Sequence, residues 1–268
     1  MRRPLGVILT HDVDWPPQGP GVNHVLARRE RFDETVISRV VREGFNPYNG
    51  ISELMNIERE LGVRSTFFFR PKYDDGVSIE DYQETVRDLV RGRWEIGVHV
   101  NDASTLESIA EEKKIVERVA GETWGSRVHY LKVHDLSLFE AAGFKYDSSC
   151  VFRRDAIDVR NMGFIKVGGL IVFPITIMDT YLFSYMHVTE ENVLETINEA
   201  VETATQKGYM TILWHDCSIR MKGGREYPQI LKALASTENV SILRAKDAYD
   251  LIMENKPKEN TDEEKAKL

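Results

Sequence analysis

Cysteine is scarce: Cys150 and Cys217 are the two in 268 residues. Two thiols cannot build a disulfide framework, so a packed core must carry the stability, and a reducing compartment is expected. Each is expected to be a small buried apolar residue rather than a ligand or nucleophile. Long hydrophobic runs are missing too; no stretch reaches the roughly 18 apolar residues of a membrane span. Basic excess is absent, with 35 Lys and Arg against 43 Asp and Glu and a formal net charge of -8, which argues against a general nucleic-acid binder. No Gly-rich loop follows a strand and opens a helix, so no nucleotide cofactor is indicated. No serine sits in a nucleophile-elbow pattern. Met1-Arg2-Arg3-Pro4 runs directly into an apolar segment, leaving no room for a signal peptide, and the expected location is cytoplasmic.

What is present is organised around Leu5-Gly6-Val7-Ile8-Leu9-Thr10-His11-Asp12-Val13-Asp14. A continuous apolar run stopped by Trp15-Pro16-Pro17 reads as a strand buried on both faces. Asp12 and Asp14 are two apart and project to the same side of it. Two adjacent carboxylates repel, and burying them is costly unless a cation lies between them. Further strands are expected near 64–69, 94–100, 128–133, 144–148, 209–214 and 240–243, with paired strands at 164–167 and 170–176. Helical spacing covers 28–44, 50–61, 79–91, 136–142, 189–207, 226–236 and 245–254. Another helix runs from Ser104 to about 120, with Glu107 completing a capping box. Residues 15–27 form a Pro/Gly-rich loop. Strands and helices alternating at this spacing imply βα units around a largely parallel sheet. At this length, one α/β domain over residues 1–254 is expected, with 255–268 a disordered charged tail.

In a parallel barrel the active site gathers at the carboxyl ends of the strands. His11, Asp12 and Asp14 lie there, as do His99, Asn101 and Asp102, Arg127, His129 and Tyr130, His134 and Asp135, Asp147, and finally His215 and Asp216. Acid and imidazole groups converging on one rim point to metal-assisted or general acid–base chemistry. Some members have equally good structural readings. His11 either bonds across the mouth or packs beside its strand. His129 lines a pocket or packs. Asp147 orients His215 or caps a turn. Lys222-Gly223-Gly224-Arg225 reads as a turn.

The ordered motifs Thr10-His11-Asp12-Val13-Asp14, Ser65-Thr66-Phe67-Phe68-Phe69, Glu95-Ile96-Gly97-Val98-His99, Arg127-Val128-His129-Tyr130, Phe144-Lys145-Tyr146-Asp147-Ser148-Ser149 and Leu213-Trp214-His215-Asp216 span about residues 5–250. Together they resemble the polysaccharide deacetylase family, the nodulation-type esterases of carbohydrate esterase family 4. The resemblance implies a distorted (β/α)7 barrel and hydrolysis of an N-acyl group, usually acetate on an N-acetylated sugar. By the same resemblance Asp12 is the base that activates water and Asp14 and His99 bind a divalent metal, zinc first among candidates. Arg127 holds the base, the Tyr130 backbone N–H stabilises the oxyanion, and His215 is the general acid. Leu213 and Trp214 lie near the acyl group or simply pack in the core. The family's second metal histidine falls at Ala103, so the third ligand is open: Asp102, His134, or none that makes a tight site. Two other readings stay open, a metal-independent hydrolase of cyclic amides or ureides and a catalytically weak glycan binder using Trp15, Tyr181, Phe183 and Tyr185. The expected partner is an N-acylated carbohydrate or small amide, not nucleic acid or a membrane.

Overall fold

The computed structural model describes residues 4–133 and 135–254; the expected charged tail at 255–268 lies outside them. Among these residues the strands are β1 (Leu5–Val13), β2 (Thr66–Phe69), β3 (Glu95–Val100), β4 (Gly125–Val128), β5 (Tyr146–Asp147), β6 (Ile165–Val167), β7 (Leu170–Val172), β8 (Ile177–Met178), β9 (Tyr209–Leu213) and β10 (Val240–Leu243). The helices are α1 (Val22–Leu26), α2 (Glu34–Glu43), α3 (Ile51–Glu60), α4 (Gln83–Arg91), α5 (Leu106–Ala120), α6 (Ser137–Ala141), α7 (Val193–Ala204), α8 (Tyr227–Ser236) and α9 (Ala245–Glu254).

Every residue of β1 is buried, because β1 is the hub of the sheet. β9 pairs along one side of it, while β10 and then β2 share the other. From β2 the sheet continues through β3, β4 and β5 to β7. Residues 170–178 close the curl, pairing with β5 at their start through β7 and with β9 at their end through β8. All these pairings are parallel; the β6–β7 hairpin alone is antiparallel. The result is a single-domain α/β protein with a distorted (β/α)7 barrel.

Alternation along β1 sorts its side chains. Leu5, Val7, Leu9 and Val13 pack outward against the helix layer. Ile8 points inward with Phe68, Tyr146 and Phe173. Burial of each such apolar side chain contributes about 1.5–3 kcal/mol. Gly97 is required here, because a Cβ at that position would lie 2.5 Å from the Phe68 ring. The floor of the barrel is polar but satisfied. Glu95 accepts from the Thr66 hydroxyl at 2.6 Å, the Tyr146 hydroxyl at 2.7 Å and the Lys246 N–H at 2.9 Å, which docks the start of α9.

His11 takes the outward face, away from the mouth. Its Nδ1 donates to the Trp214 carbonyl at 2.6 Å and its Nε2 lies 2.8 Å from Glu58 of α3. Glu58 also accepts from Ser65, Trp94 and Tyr227. His11 therefore stitches strands to helices.

Three expectations are corrected. The helix expected at 28–44 is a 3-10 turn at Arg29–Arg31 followed by α2, with α1 lying earlier, inside the loop expected at 15–27, because Phe32 turns back into a small core with Val25, Ile37, Val40 and Tyr48. The cap of α5 is Thr105 rather than Ser104, its hydroxyl accepting from the Ser108 N–H at 3.1 Å. β4 stops at Val128, since Tyr130 and Leu131 adopt left-handed φ values of 59° and 56° that no strand accommodates.

Removing one partner of a buried, hydrogen-bonded charge leaves the other uncompensated. Glu58→Ala is expected to cost about 3–5 kcal/mol of stability, read by urea unfolding.

Candidate active site

The inward face of β1 continues upward from Ile8 through Thr10, Asp12 and Asp14, and that row meets the ends of its neighbours. Asp12 is buried and bound to Arg127, whose Nη1 donates to its Oδ1 at 2.9 Å and to the Thr10 hydroxyl at 3.0 Å. The guanidinium is fully buried. Its Nε donates to the Ser148 carbonyl at 2.7 Å and its Nη2 to the Ser148 hydroxyl at 2.7 Å. Its face covers the Phe68 ring at 4.5 Å. These contacts aim one Asp12 oxygen at Arg127 and leave the other, Oδ2, 3.8 Å from His99 Nε2.

Asp14 sits one step higher, among imidazoles. Its Oδ1 lies 3.1 Å from His99 Nε2 and 3.4 Å from His129 Nδ1, and those two nitrogens are 3.0 Å apart. His99 Nδ1 donates to the Arg127 carbonyl at 3.1 Å, which orients the ring with Nε2 toward the cluster. Donor atoms about 2.1 Å from a shared zinc at tetrahedral angles lie roughly 3.4 Å apart, so one carboxylate and two imidazoles fit a divalent ion here. The third member is His129. The sequence held a sign of it: Arg127 and His129 are two apart, on the same face of one strand line. Ala103 is buried in the outer core. Asp102 is turned into a loop, its carboxylate accepting the Ser104 N–H at 3.0 Å, and it does not join the cluster. His134 lies outside the described residues.

His215 follows β9 and reaches Asp14 from the other side, with Nε2 3.6 Å from Asp14 Oδ2. Its partner is Asp179, just beyond β8. The Asp179 carboxylate accepts from His215 Nδ1 at 2.7 Å and from the His215 backbone N–H at 2.9 Å. Sequence reasoning missed Asp179, which no motif or spacing marks. Asp147 instead accepts from the Ser126 hydroxyl and from the N–H and hydroxyl of Ser149. Ser149 in turn accepts the Val128 N–H, so Asp147 braces the turn that carries Ser148 to Arg127.

Electrostatics separate these groups. Burial raises the Asp14 carboxyl, but hydrogen bonds from His129 and His99 and the charge of His215 outweigh it and hold the group well below the usual carboxylate range. Burial opposes the His215 charge, yet Asp179, Asp14 and Asp12 together lift it to about 10. Asp179 is correspondingly lowered against its own burial. Asp216 points away from the site; burial pushes it up to about 8 despite the Gly50 N–H.

These groups open onto a cavity of about 630 Å³, whose lining includes Asp14, His129, Tyr130, Asp179 and His215. Tyr130 is exposed and rests its ring on His129, with centroids 3.9 Å apart. Leu213 and Trp214 do not reach this cavity. Leu213 packs against Ile175, Met178 and Tyr181, and the Trp214 indole donates to the Gly224 carbonyl beside Tyr227. Trp15 and Phe183 line the cavity, whereas Tyr185 is exposed beyond it.

No protein-family model matches the sequence, and no curated protein matches it. Solved structures match its fold. A Mycobacterium smegmatis protein described as a candidate polysaccharide deacetylase aligns with a TM-score of 0.66 at 18% identity, over 95% of this chain and 92% of that one. A family 4 carbohydrate esterase pseudoenzyme from Bacillus anthracis gives 0.55 at 10% identity, over 93% of this chain and 67% of its own. The chitin deacetylase of the fungal pathogen Colletotrichum lindemuthianum gives 0.51 at 14%, over 91% and 87%. The chain thus has the fold of the family 4 polysaccharide deacetylases, and no helix among its described residues is long and apolar enough to cross a membrane.

The ligand set has a direct check. After incubation with a divalent metal and dialysis, His129→Ala is expected to retain less metal per chain than the wild type by elemental analysis, and Asp102→Ala to retain as much.

Proposed function

We propose that this chain hydrolyses a carbon–nitrogen amide bond, removing the acyl group from an N-acylated carbohydrate. The observation that carries the reading is the placement of Asp12 and His215 on opposite sides of the Asp14–His99–His129 cluster, each locked by its own partner, Arg127 or Asp179. A pseudoenzyme shares this fold, so the fold alone does not decide activity; the side chains do.

In this reading Asp12 accepts the proton of the attacking water. Arg127 keeps its carboxylate pointed, because the guanidinium fork presents its donors in fixed directions. The backbone N–H of Tyr130 faces the oxyanion as the acyl carbon becomes tetrahedral, a type of contact worth about 3–4 kcal/mol. His215 Nε2 delivers a proton to the departing nitrogen, and Asp179 holds the ring by Nδ1 so that Nε2 is the atom presented. Asp14, His99 and His129 would hold a divalent ion, which would supply Lewis-acid chemistry to the reaction. Zinc suits two imidazoles and a carboxylate and is the first ion to test. The donor triangle favours this reading over metal-independent amide hydrolysis.

Asp12→Asn and His215→Ala are each expected to lower kcat for acetate release by about 10²–10⁴-fold with the circular dichroism spectrum unchanged. Full activity in either variant overturns the assigned role. Asp179→Asn is expected to reduce kcat more than it raises KM. It also removes the principal attraction that lifts His215, so the alkaline limb of the pH–rate profile moves to lower pH.

A further inference from the structure

The cavity is larger than an acyl amide needs, and one wall of it has a different character. Besides Asp14 and His215 the cavity is lined by His24, Arg28, Arg31, Tyr48 and Lys222. This wall is anchored rather than loose. Phe32, Val25, Ile37 and Val40 form a core beneath it with Tyr48. Trp15, His24 and Tyr48 pack edge to face, with centroids 4.8–5.6 Å apart. The Lys222 N–H donates to the Arg31 carbonyl at 2.8 Å, and Arg225 ties Asp33 to Glu190.

Among the described residues the guanidiniums of Arg28 and Arg31 have no carboxylate partner. Lys222 Nζ donates to the Glu30 carbonyl, which leaves its charge uncancelled. Arg29, Arg39, Arg87, Arg225 and Arg244 hold carboxylates, and the arginines that pair instead with an amide or backbone carbonyl, such as Arg59 and Arg64, do not line the cavity. Arg70, the remaining arginine of the cavity, is neutralised by Asp74. The field of the wall reaches its neighbours, since burial and then the charges of Arg28 and Arg31 push His24 down. Glu30, on the same turn, does not line the cavity, whereas Arg31 and Lys222, exposed like it, do. A chain of net charge -8 gains nothing in solubility by leaving three cations uncancelled in a concave site. Unpaired guanidiniums and an ammonium facing a cavity are the chemistry that binds an anion.

We propose that this wall is an anion subsite: the substrate carries a phosphate or carboxylate at the end remote from its scissile amide, held by Arg28, Arg31 and Lys222. This rests on the hydrolase reading for the amide end alone. The acidic end of the cavity then repels the charged group and the cationic wall attracts it, so the substrate enters in one orientation.

The test uses the full-length chain with Asp12→Asn, which prevents turnover during titration. Three probes are titrated calorimetrically: N-acetylglucosamine 1-phosphate, an N-acetylated aminouronic acid and uncharged N-acetylglucosamine. At least one charged probe is expected to bind about tenfold or more tighter than the uncharged sugar, an advantage that shrinks as salt is added. The tighter of the two charged probes identifies phosphate or carboxylate as the group. Adding Arg28→Gln and Arg31→Gln is expected to bring charged and uncharged affinities together, whereas Arg87→Gln, far from the cavity, preserves the difference. Arg31→Glu provides a second variant should the double one fail to fold. Equal binding of all three probes, no binding of either charged probe, or a preference that survives loss of both arginines overturns the subsite. Acetate release by the wild-type chain is followed separately. A charge preference without acetate release from any probe leaves the subsite standing and overturns the hydrolase. Acetate release at equal KM from charged and uncharged probes does the reverse.

Discussion

A charge with nowhere else to go underlies this structure. Arg127 is fully buried, and an unpaired guanidinium in that position would cost several kcal/mol. Each of its contacts comes from a different part of the barrel: Thr10 and Asp12 from β1, Phe68 from β2 and Ser148 from the end of β5. The planar fork suits this task, since its donors diverge in fixed directions and its face can lie on an aromatic ring. The pairing makes burial of Asp12 tolerable. Gly97 belongs to the same arrangement, because its missing side chain leaves room for the Phe68 ring on which Arg127 rests.

Above that ion pair the site is a graded set of environments. The imidazoles pull Asp14 down, Asp179 pulls His215 up, and Asp216, excluded from both, is pushed toward neutrality by burial. Acid and base roles on one fold are commonly separated in this way, by surroundings rather than by residue type. The cavity continues the contrast, with both carboxylates and uncancelled cations in its lining. Such a field orients a polar ligand before any single hydrogen bond forms.

The outer layer obeys a different economy. His11, between two residues of the site row, takes no part in the site and joins Trp214 and Glu58 instead. A strand gives every second residue to each face, so three consecutive polar residues cannot all serve one centre. Trp214 and Leu213, adjacent to His215, are core for a similar reason, and their burial steadies the strand end that presents the histidine.

Local pattern alone determined that β1 is a buried strand, that Asp12 and Asp14 share a face, that βα units follow one another, and that Asp12, Asp14, His99, Arg127 and His215 belong on one rim. These follow from periodicity and from the rule that strand ends form the mouth of a parallel barrel, both short-range or topological facts. Tertiary structure alone decided which groups complete the set. The sequence offered Asp102 as a third ligand and left His129 as a pocket-lining or packing residue, but a loop hydrogen bond claims the first, and the left-handed turn after Val128 keeps the second at the rim. Asp147 ends β5 and Asp179 follows β8, yet Asp179 meets His215 because β8, not β5, pairs with β9. Arg28 and Arg31 looked like part of a long helix until Phe32 broke it and turned their segment over the mouth. Such choices depend on which strands become neighbours and which loops fold back, and those are set by packing between residues far apart in the chain, where no local period leaves a trace.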